Sequence, residues 1–314
     1  MRVLVTDGLE AAAMAELRRS AEVDAIEANA KELLDLIPNY EALIVRSRTK
    51  VTAEVIGRGK KLRVIGRAGT GVDNIDVRAA TARRISVVNA PTASTISVAE
   101  LAIGHMISLA RHLPEADRTM KDGNWEKKRF EGTELHDKVL GLLGSGRIGA
   151  EVAKRAHAFG MDVIAYDPYL LPKTAEERGI RLVSLEELLR DSDFLSVHAA
   201  LTPETKSMIG PAQLRAMKRT AFLVNCARGE ILQETAVAKA LADGVIAGAA
   251  LDVFEKEPPT GSPILSTPNV AFTPHLGAST REAQARAGEI VVDEVLKALR
   301  GQKPEFAVNP EAYA

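Results

Sequence analysis

The sequence predicts an α/β protein built from two parallel β-sheets that are covered by helices. Short runs rich in aliphatic and β-branched residues alternate with helical stretches along the whole chain, which is the pattern of strand–helix–strand units. The chain has 314 residues, about twice the length of one ordinary domain of ~150 residues. Hydrophobic residues make up 46% of the chain, which is enough to build two cores.

Four strand candidates precede a long apolar helix. They are Arg2–Val5, Ala42–Val45, Leu62–Ile65 and Ile85–Val88. Each ends at a polar or glycine-containing turn, as a strand should. The helix is predicted from Ser97 to Arg111, with Ser97 as N-cap and Glu100 three residues later, as in a capping box. Its apolar surface is wide, so we expect it to pack between domains or against another subunit.

Six further strand candidates follow Asp137. They are Lys138–Leu143, Val163–Tyr166, Phe194–Val197, Ala221–Val224, Gly248–Leu251 and Val270–Phe272. Six strands joined by helical crossovers are the count for a complete doubly wound sheet that binds a dinucleotide. A last helix, Glu289–Arg300, follows the sixth strand and is long enough to cross back to the first domain.

Charge and composition exclude several classes of protein. The 41 basic and 42 acidic residues leave a net charge of -1, which argues against a dedicated surface for nucleic acid or an anionic membrane. One cysteine excludes an intramolecular disulfide framework and a multi-cysteine zinc site. No apolar run approaches the ~18 residues of a membrane span, and Asp7 comes too soon for a secretory signal. We therefore expect a cytoplasmic protein without metal, membrane or nucleic-acid partners.

A glycine-rich loop follows the first strand of the second series. Gly144-Ser145-Gly146-Arg147-Ile148-Gly149 matches G-x-G-x-x-G, with a strand before it and a helix after it. The first glycine permits a tight turn, the second lets a pyrophosphate approach the backbone, and the third lets helix and strand pack closely. Eighteen residues after Gly149, a strand delivers Asp167, whose carboxylate can bind ribose hydroxyls and repel a 2′-phosphate. The loop therefore predicts NAD in preference to NADP.

Charged residues at the ends of the later strands fit hydride transfer from a hydroxy acid. Such a reaction needs a cation for the carboxylate and a general base for the hydroxyl proton. Arg228, Asp252 and His275 follow three successive strands. A carboxylate beside the histidine would orient the ring and raise its pKa. Glu257 is the candidate for that partner, and spacing alone does not dismiss Glu255 as a competitor.

Six histidines compete for the role of general base. His275 ends a strand between a proline and the Leu-Gly pair that follows, so its position should be rigid and its surroundings open. His198 also ends a strand and is the main rival, but no cationic residue accompanies it. Packing, solvation or a polar turn explains the others, which are His105, His112, His136 and His157. His275 is therefore the preferred base.

Three arginines follow strands of the first series. Arg46 and Arg48 come after the second strand candidate, and Arg67 comes after the third. Ligands of open α/β sheets bind beyond the carboxyl ends of the strands, so these side chains can converge on an anion. The alternative is that all three are solvated surface arginines.

Several longer segments resemble the D-2-hydroxyacid dehydrogenase family. They are Asn225–Gly229, Ala250–Phe254 followed by Glu257-Pro258, Pro274–Thr280, Val45–Ser47, Gly66–Asn74 and Met120–Glu126. The likeness runs in order from about residue 3 to residue 300. It implies a Rossmann-type doubly wound parallel sheet domain plus a smaller flavodoxin-like α/β substrate domain. The substrate domain would be discontinuous, with residues 1–96 and 287–314, and residues 97–286 would form the NAD-binding domain.

The resemblance also implies roles for individual residues. His275 is expected to be the proton acceptor and donor, Glu257 its partner, and Arg228 the ligand of the substrate carboxylate. Cofactor contacts are expected from Thr70, Gly144, Gly146, Arg147, Ile148, Gly149, Asp167, Ala199, Cys226, Ala227, Asp252, Leu276, Gly277 and Ala278. Substrate contacts are expected from Arg46, Ser47, Arg48, Arg67, Ala68 and Gly69.

The implied reaction is the NAD-dependent oxidation of 3-phosphoglycerate to 3-phosphohydroxypyruvate, a step of serine biosynthesis. Arg46, Arg48 and Arg67 would supply the positive pocket for a dianionic phosphate, whereas a small uncharged side group would not need three cations. Glyoxylate, hydroxypyruvate or another 2-hydroxy acid is the alternative substrate. A further alternative is a non-enzymatic NAD-sensing scaffold or co-repressor, against which the complete set of Arg228, Glu257 and His275 argues.

Other features bear on assembly and regulation. The apolar helix and the polar arm after it resemble the family's dimer contact, so a homodimer or higher homo-oligomer is expected. Family members usually carry proline where this chain has Ala200, which weakens the prediction for Ala199. Where a neighbouring subunit's arginine can reach the substrate, this chain has Lys127-Lys128-Arg129. Because the chain ends at Ala314, no serine-binding regulatory domain is expected.

Overall fold

A computed structural model describes residues 1–313 of the chain. Its strands are β1 (Arg2–Val5), β2 (Glu22–Ala25), β3 (Ala42–Val45), β4 (Val64–Arg67), β5 (Ser86–Asn89), β6 (Val139–Leu143), β7 (Asp162–Tyr166), β8 (Arg181–Leu182), β9 (Phe194–Val197), β10 (Phe222–Asn225), β11 (Gly248–Leu251) and β12 (Val270–Phe272). Its α-helices are α1 (Ala11–Ser20), α2 (Ala30–Leu36), α3 (Ala53–Arg58), α4 (Val77–Ala82), α5 (Thr95–Ala110), α6 (Leu113–Lys121), α7 (Arg147–Ala158), α8 (Pro172–Glu177), α9 (Leu185–Asp191), α10 (Pro211–Ala216), α11 (Glu234–Ala242) and α12 (Arg281–Leu299). Short 3₁₀ helices occupy Ile37–Asn39, Lys127–Phe130, Gly229–Ile231, Pro263–Ser266 and Pro310–Tyr313.

The chain divides into two compact units. The first contains Met1–Ser94 together with the residues from Ala278 onward, and the second contains Thr95–Gly277. The chain passes between the units after Ser94, two residues before the predicted boundary at 96, and after Gly277, nine residues before the predicted boundary at 286. The larger difference has a structural reason, because α12 begins at Arg281 and packs on α1 and on strands of the first sheet. The predicted boundaries therefore divided this helix between two domains.

The first unit is a five-stranded parallel sheet in the order β2-β1-β3-β4-β5. This is the doubly wound, flavodoxin-like order, which reverses direction between β1 and β3. β3 is buried at every residue, as expected of a parallel strand that is covered on both faces. α12 covers β4 closely: a Cβ at Gly66 would lie 2.6 Å from Val295 and 2.8 Å from Val291. A glycine at this position therefore lets the helix approach the sheet.

The second unit is a seven-stranded parallel sheet in the order β12-β11-β10-β9-β6-β7-β8. The order changes direction between β6 and β9, which is the Rossmann arrangement extended by one strand. One hydrophobic cluster includes α5, α7 and residues of the central strands, and a second cluster includes α9, α10 and α11. The predicted α/β fold class, with a Rossmann-type and a flavodoxin-like sheet, is confirmed.

Several elements differ from the sequence prediction. β2 and β8 were not predicted, because β2 carries Glu22 and Asp24 on an edge strand and β8 has only two residues. α5 begins at Thr95, so Ser97 is a buried residue inside the helix and the predicted capping box is wrong. α12 begins eight residues before the predicted Glu289, behind a Thr280 N-cap. The other strands differ from the prediction by at most two residues at either end.

No helix among residues 1–313 has the length and apolar character needed to cross a membrane. Within the same part of the chain, no group of three or more histidine, cysteine, aspartate and glutamate side chains is arranged to hold a metal ion.

Candidate active site

The glycine loop lies at the point where the second sheet reverses direction. Gly144 follows β6 with φ +88°, a left-handed conformation that favours glycine. A Cβ on Gly144 would lie 2.8 Å from the backbone of Ala199, which follows β9, so the two strand ends approach closely. A Cβ on Gly149 would lie 2.6 Å from the Gly144 carbonyl oxygen, so the third glycine lets α7 pack on the loop. Gly144 thus forms the tight turn after β6, and Gly149 allows the close packing of α7.

The second glycine of the loop leaves the open space that a phosphate needs. Gly146 precedes α7, and no atom lies within 4 Å of a Cβ built on it. Arg147 and Ile148 form the first turn of α7, whose N–H groups and positive dipole end favour an anion. The residues present therefore fit a pyrophosphate at this helix N-terminus.

Asp167 lies beside the glycine loop at the end of β7. Its two carboxylate oxygens accept hydrogen bonds from the Ser145 N–H at 2.8 Å and the Tyr169 N–H at 2.9 Å. Each carboxylate oxygen has a second lone pair, so the group can still accept a hydrogen bond from a ribose hydroxyl. Asp167 therefore lies beside the glycine loop with capacity left to accept a hydrogen bond from the adenosine ribose.

Arg228 lies in a tight turn after β10. The buried side chain of Asn225 holds this turn, because its Oδ1 accepts from the Ala227 N–H at 3.0 Å and its Nδ2 donates to the Arg228 carbonyl at 2.9 Å. Cys226 and Ala227 belong to the same turn. A Cβ on Gly229 would overlap the backbone of Phe254, so this glycine lets the Arg228 turn lie against the segment that leads to Glu257.

His275 and Glu257 form a hydrogen-bonded pair. The Nδ1–H of His275 donates to Oε2 of Glu257 at 2.7 Å, and the two side chains are 51% and 39% exposed. This hydrogen bond raises the pKa of His275 above its ordinary value of 6.5, although burial and the charge of Arg228 oppose the rise. Burial would raise the pKa of Glu257, but hydrogen bonds from His275 and the Phe254 N–H, with the Arg228 charge, lower it. The pair is therefore a base held beside a cation.

Asp252 holds the turn that carries His275. Its side chain is buried, with 1% of the residue exposed, and its carboxylate accepts from the Leu276 N–H at 2.6 Å and the Gly277 N–H at 2.9 Å. The His275 N–H donates to the Asp252 carbonyl at 2.8 Å. His275 has φ +54°, which is uncommon for a residue with a Cβ. These three hydrogen bonds hold the histidine in that conformation.

The structure separates the candidates from their rivals. Glu255 is exposed and accepts from the Glu234 N–H at 2.8 Å, so it faces α11 while Glu257 faces His275. Burial lowers the pKa of His198 to about 4, which is unsuitable for a base that must become an imidazolium near neutral pH. Burial raises the pKa of the Cys226 thiol, so this residue is not a thiolate nucleophile.

The first unit contains the predicted substrate residues, which lie at or just after the ends of β3 and β4. Buried Asp7 organises the turn after β3: its carboxylate accepts from the Arg46 N–H at 2.7 Å, the Thr49 N–H at 3.0 Å and the Thr49 hydroxyl at 2.6 Å. Arg48 forms ion pairs with Asp7 and Glu27, each at 3.2 Å. It also donates to the Thr6 carbonyl at 2.6 Å. Arg48 is therefore engaged within the turn.

Arg67 and the residues after it form a second turn. Its Nη1 donates to the Ala68 carbonyl at 3.3 Å, and a Cβ on Gly69 would overlap its guanidinium, so Gly69 makes room for the arginine. Thr70, a predicted cofactor residue, lies in the same unit, with its hydroxyl 3.0 Å from the Ser94 hydroxyl. Ser47 is exposed beside Arg46. Ala278, the last predicted cofactor residue, begins the second segment of this unit.

Two residues that organise the second unit were absent from the predicted site. Asn225 is fully buried at the end of β10, and Thr273 follows β12 and donates its hydroxyl hydrogen to Asp252 at 2.6 Å. A buried asparagine at the end of a strand is uncommon without a local hydrogen-bonding role, so sequence alone carried a signal for Asn225. The role of Thr273 depends on its distance from a residue 21 positions away, for which the sequence holds no comparable signal.

Comparison with known proteins identifies the family. The sequence model for "D-isomer specific 2-hydroxyacid dehydrogenase, NAD binding domain" matches residues 103–277. The D-3-phosphoglycerate dehydrogenase of Methanocaldococcus jannaschii is 51% identical over 98% of this chain, and the chain spans 59% of the length of that relative.

Two crystal structures have the same fold over nearly the whole of both chains. A glyoxylate reductase from Paecilomyes thermophila has a TM-score of 0.90 and 31% identity, covering 98% of each chain. A D-lactate dehydrogenase from Aquifex aeolicus, complexed with NAD and lactic acid, has a TM-score of 0.86 and 28% identity, covering 95% of this chain and 96% of its own. The matched NAD-binding domain confirms NAD as the expected cofactor. The chain belongs to the D-isomer specific 2-hydroxyacid dehydrogenase family.

Proposed function

We propose that this protein oxidises 3-phosphoglycerate to 3-phosphohydroxypyruvate with NAD, a step of serine biosynthesis. The observation that carries the reaction class is the 2.7 Å hydrogen bond between His275 and Glu257, close enough to Arg228 for its charge to act on both groups. A base, its orienting carboxylate and a cation are the groups that oxidation of a 2-hydroxy acid requires. All three belong to the second unit.

The chain's own residues divide the chemistry between them. Bound NAD would supply the acceptor for the hydride that leaves C2 of the substrate. The Nδ1–H of His275 is bonded to Glu257, so Nε2 takes the proton of the C2 hydroxyl group. Glu257 stabilises the imidazolium that forms, and Arg228 binds the substrate carboxylate through its planar fork. The glycine loop and Asp167 hold the adenosine end of the cofactor, with Cys226, Ala227, Asp252 and Leu276 assigned to its nicotinamide end.

The choice of 3-phosphoglycerate rests on two arguments. Relatives at 44–51% identity, in archaea, a cyanobacterium and mammals, carry the name D-3-phosphoglycerate dehydrogenase. In the first unit, Arg46 follows β3 and Arg67 is the last residue of the adjacent β4, and we assign them to the substrate phosphate together with Ser47, Ala68 and Gly69. Arg48 is the weakest member of the predicted set, because Asp7 and Glu27 already neutralise it.

A second candidate is a dehydrogenase for glyoxylate, hydroxypyruvate or another unphosphorylated 2-hydroxy acid. The ion pairs of Arg48 with Asp7 and Glu27 favour an unphosphorylated substrate, because they neutralise one of the three cations proposed for a phosphate. The glyoxylate reductase of similar fold also matches this chain over 98% of both lengths. The catalytic residues would be the same, and only the assignment of the first unit's arginines would change.

Steady-state assays with purified protein separate these candidates. NADH formation is measured with NAD and 3-phosphoglycerate, D-glycerate or D-lactate, and NADH consumption with hydroxypyruvate or glyoxylate. The proposal expects kcat/KM to be highest with 3-phosphoglycerate, and it expects Arg46→Ala and Arg67→Ala to raise KM for this substrate more than for D-glycerate. Preference for D-glycerate would overturn the substrate assignment. No substrate-dependent NADH at all would favour the non-enzymatic scaffold.

Replacement of the proposed base tests the mechanism separately. We expect His275→Ala to lower kcat by about 10²- to 10⁴-fold, the usual contribution of a general base. NAD affinity, measured by quenching of protein fluorescence, should change little, because the proposed adenosine contacts lie elsewhere. Wild-type turnover in this variant would remove His275 from the mechanism.

We also propose a homodimer in the cytoplasm. Leu113 and Met120 on α6, and Trp125 after it, expose much of their apolar surface, as residues at a subunit contact would in an isolated chain. The chain has one cysteine, Cys226, which is buried, so it has no disulfide of its own to stabilise it in an oxidising compartment.

A further inference from the structure

A chain of hydrogen bonds runs from helix α5 to the turn that carries His275. The Thr273 hydroxyl donates to Oδ1 of Asp252 at 2.6 Å, and the ring Nε2 of His105 lies 3.0 Å from the same hydroxyl oxygen. An ionised carboxylate only accepts, so the Thr273 hydrogen is committed to Asp252. His105 must then be the donor, with its hydrogen on Nε2. The order of donation is His105 to Thr273 to Asp252.

Through Asp252, this series of hydrogen bonds restrains the turn that carries His275. The oxygen that accepts from Thr273 also accepts from the Leu276 N–H, and its neighbour accepts from the Gly277 N–H. His275 precedes these two amides and has a left-handed backbone conformation. Such a conformation is unfavourable for a non-glycine residue and persists only where its surroundings impose it. The direction of the Asp252 carboxylate therefore determines where the His275 ring is held.

We propose that His105 and Thr273 are positioning residues for His275, acting through the carboxylate of Asp252. Thr273 fixes the rotation of the carboxylate plane, and His105 fixes the rotation of the Thr273 hydroxyl. His105 is buried on α5, and a Cβ on Gly277 would lie 3.1 Å from Val98 of the same helix, so α5 packs directly behind the turn. This inference rests on the proposed role of His275 and adds two residues whose effect on catalysis is indirect.

Thr273→Val tests the first link, because it keeps the shape of the side chain and removes the hydroxyl. We expect kcat to fall by about 10- to 100-fold, the scale of a sub-ångström to 1 Å displacement of a catalytic group. The loss of NAD affinity should be smaller than the loss of kcat, since the glycine loop and Asp167, which are assigned to the adenosine end, are unchanged. Thr273→Ser retains the donor and should recover most of the activity. Thr267→Val is the matched control, since that hydroxyl bonds only within its own 3₁₀ turn.

His105→Met and His105→Gln test the second link. Methionine fills similar space without a donor, whereas the glutamine amide can still donate to Thr273. We expect His105→Met to lower kcat by about 10-fold and His105→Gln to recover much of that loss, in line with the loss of one buried hydrogen bond. The two His105 variants test the same series of hydrogen bonds even if Thr273→Val does not fold.

Hydrogen exchange provides a readout that needs no substrate. Amide exchange of Leu276 and Gly277 should be faster in Thr273→Val and His105→Met than in the wild type, and unchanged in Thr267→Val and Thr273→Ser. Unchanged exchange at these amides, together with wild-type kcat, would overturn the inference. If Thr273→Val and His105→Met show the faster exchange but the wild type oxidises none of the hydroxy acids tested, the proposed function fails while the positioning role stands.

Discussion

At the scale of single residues, the site depends on one short hydrogen bond and on the charges around it. Glu257 raises the pKa of His275, and the same contact lowers the pKa of Glu257. In the proposed mechanism, oxidation needs neutral His275 to accept the hydroxyl proton, and reduction needs its protonated form. The rate of oxidation should therefore rise with pH through a midpoint above the ordinary value of 6.5, and the rate of reduction should fall through that same range.

Glu257→Gln tests this coupling. Removing the carboxylate removes the main cause of the raised pKa, so the midpoint for oxidation should move to lower pH. The maximal kcat should fall by about 10- to 100-fold, because the imidazolium loses its charged partner. Profiles of kcat/KM against pH in both directions measure the shift. Glu255→Gln is the matched control in the same loop, and an equal shift there would contradict the assignment of Glu257.

At the scale of elements, the active-site residues lie in turns after parallel strands, and close backbone packing determines which turns meet. The Arg228 turn approaches the segment after β11 only because residue 229 has no side chain. The Gly69 position makes room in the same way for the guanidinium of Arg67. Sequence spacing identifies such turns, because an apolar run ends at a glycine or charged residue. It does not identify the neighbour that makes the glycine necessary.

Comparing Gly229→Ala with Gly104→Ala distinguishes the effect of close backbone packing from the effect of helix propensity on stability. Alanine at 229 would overlap the Phe254 backbone, so we expect the free energy of unfolding to fall by about 1–3 kcal/mol, with loss of activity as the Arg228 turn shifts. Gly104 lies on the exposed face of α5 with no atom within 4 Å of a Cβ, so alanine there should stabilise by up to about 1 kcal/mol. Urea unfolding measures both changes. Similar changes at the two positions would contradict the packing argument.

At the scale of the whole molecule, each unit has its own sheet and its own core, and the chain crosses between them twice. The near-zero net charge reveals nothing of the local clusters, such as Arg48 with Asp7 and Glu27 or Arg228 with Glu257 and His275. Exposed apolar residues are also distributed unevenly: Leu113, Met120 and Trp125 lie within one short segment. This segment is where we expect a second copy of the chain to bind.

Sedimentation velocity tests the expected dimer. The wild type should sediment as a dimer or a larger homo-oligomer, and Trp125→Glu should shift the equilibrium toward monomer, because it puts a charge into the contact. Trp125 is 79% exposed within the chain, and Tyr169→Glu is the control, since Tyr169 is 90% exposed outside this segment. A wild type that is monomeric at all concentrations tested would contradict the prediction.

Local patterns in the sequence were enough to predict the α/β class, the order of most strands, the glycine loop with Asp167, and Arg228 and His275 as candidates. Each of these depends on residues that are neighbours in the chain, where an apolar run meets a turn with a recognisable composition. β2, β8 and the start of α12 were missed because their local patterns are short or polar and packing decides them.

Spacing left Glu255 open beside Glu257, and the tertiary structure separates the two, since Glu257 faces His275 while Glu255 faces α11. It also excluded His198 through burial, gave Arg48 its acidic partners, and brought His105 within 3.0 Å of Thr273 across 168 residues of sequence. The physical reason is the same in each case. Hydrogen bonds and desolvation act over a few ångströms in space, and the distances between residues remote in sequence exist only once the sheets and helices have packed.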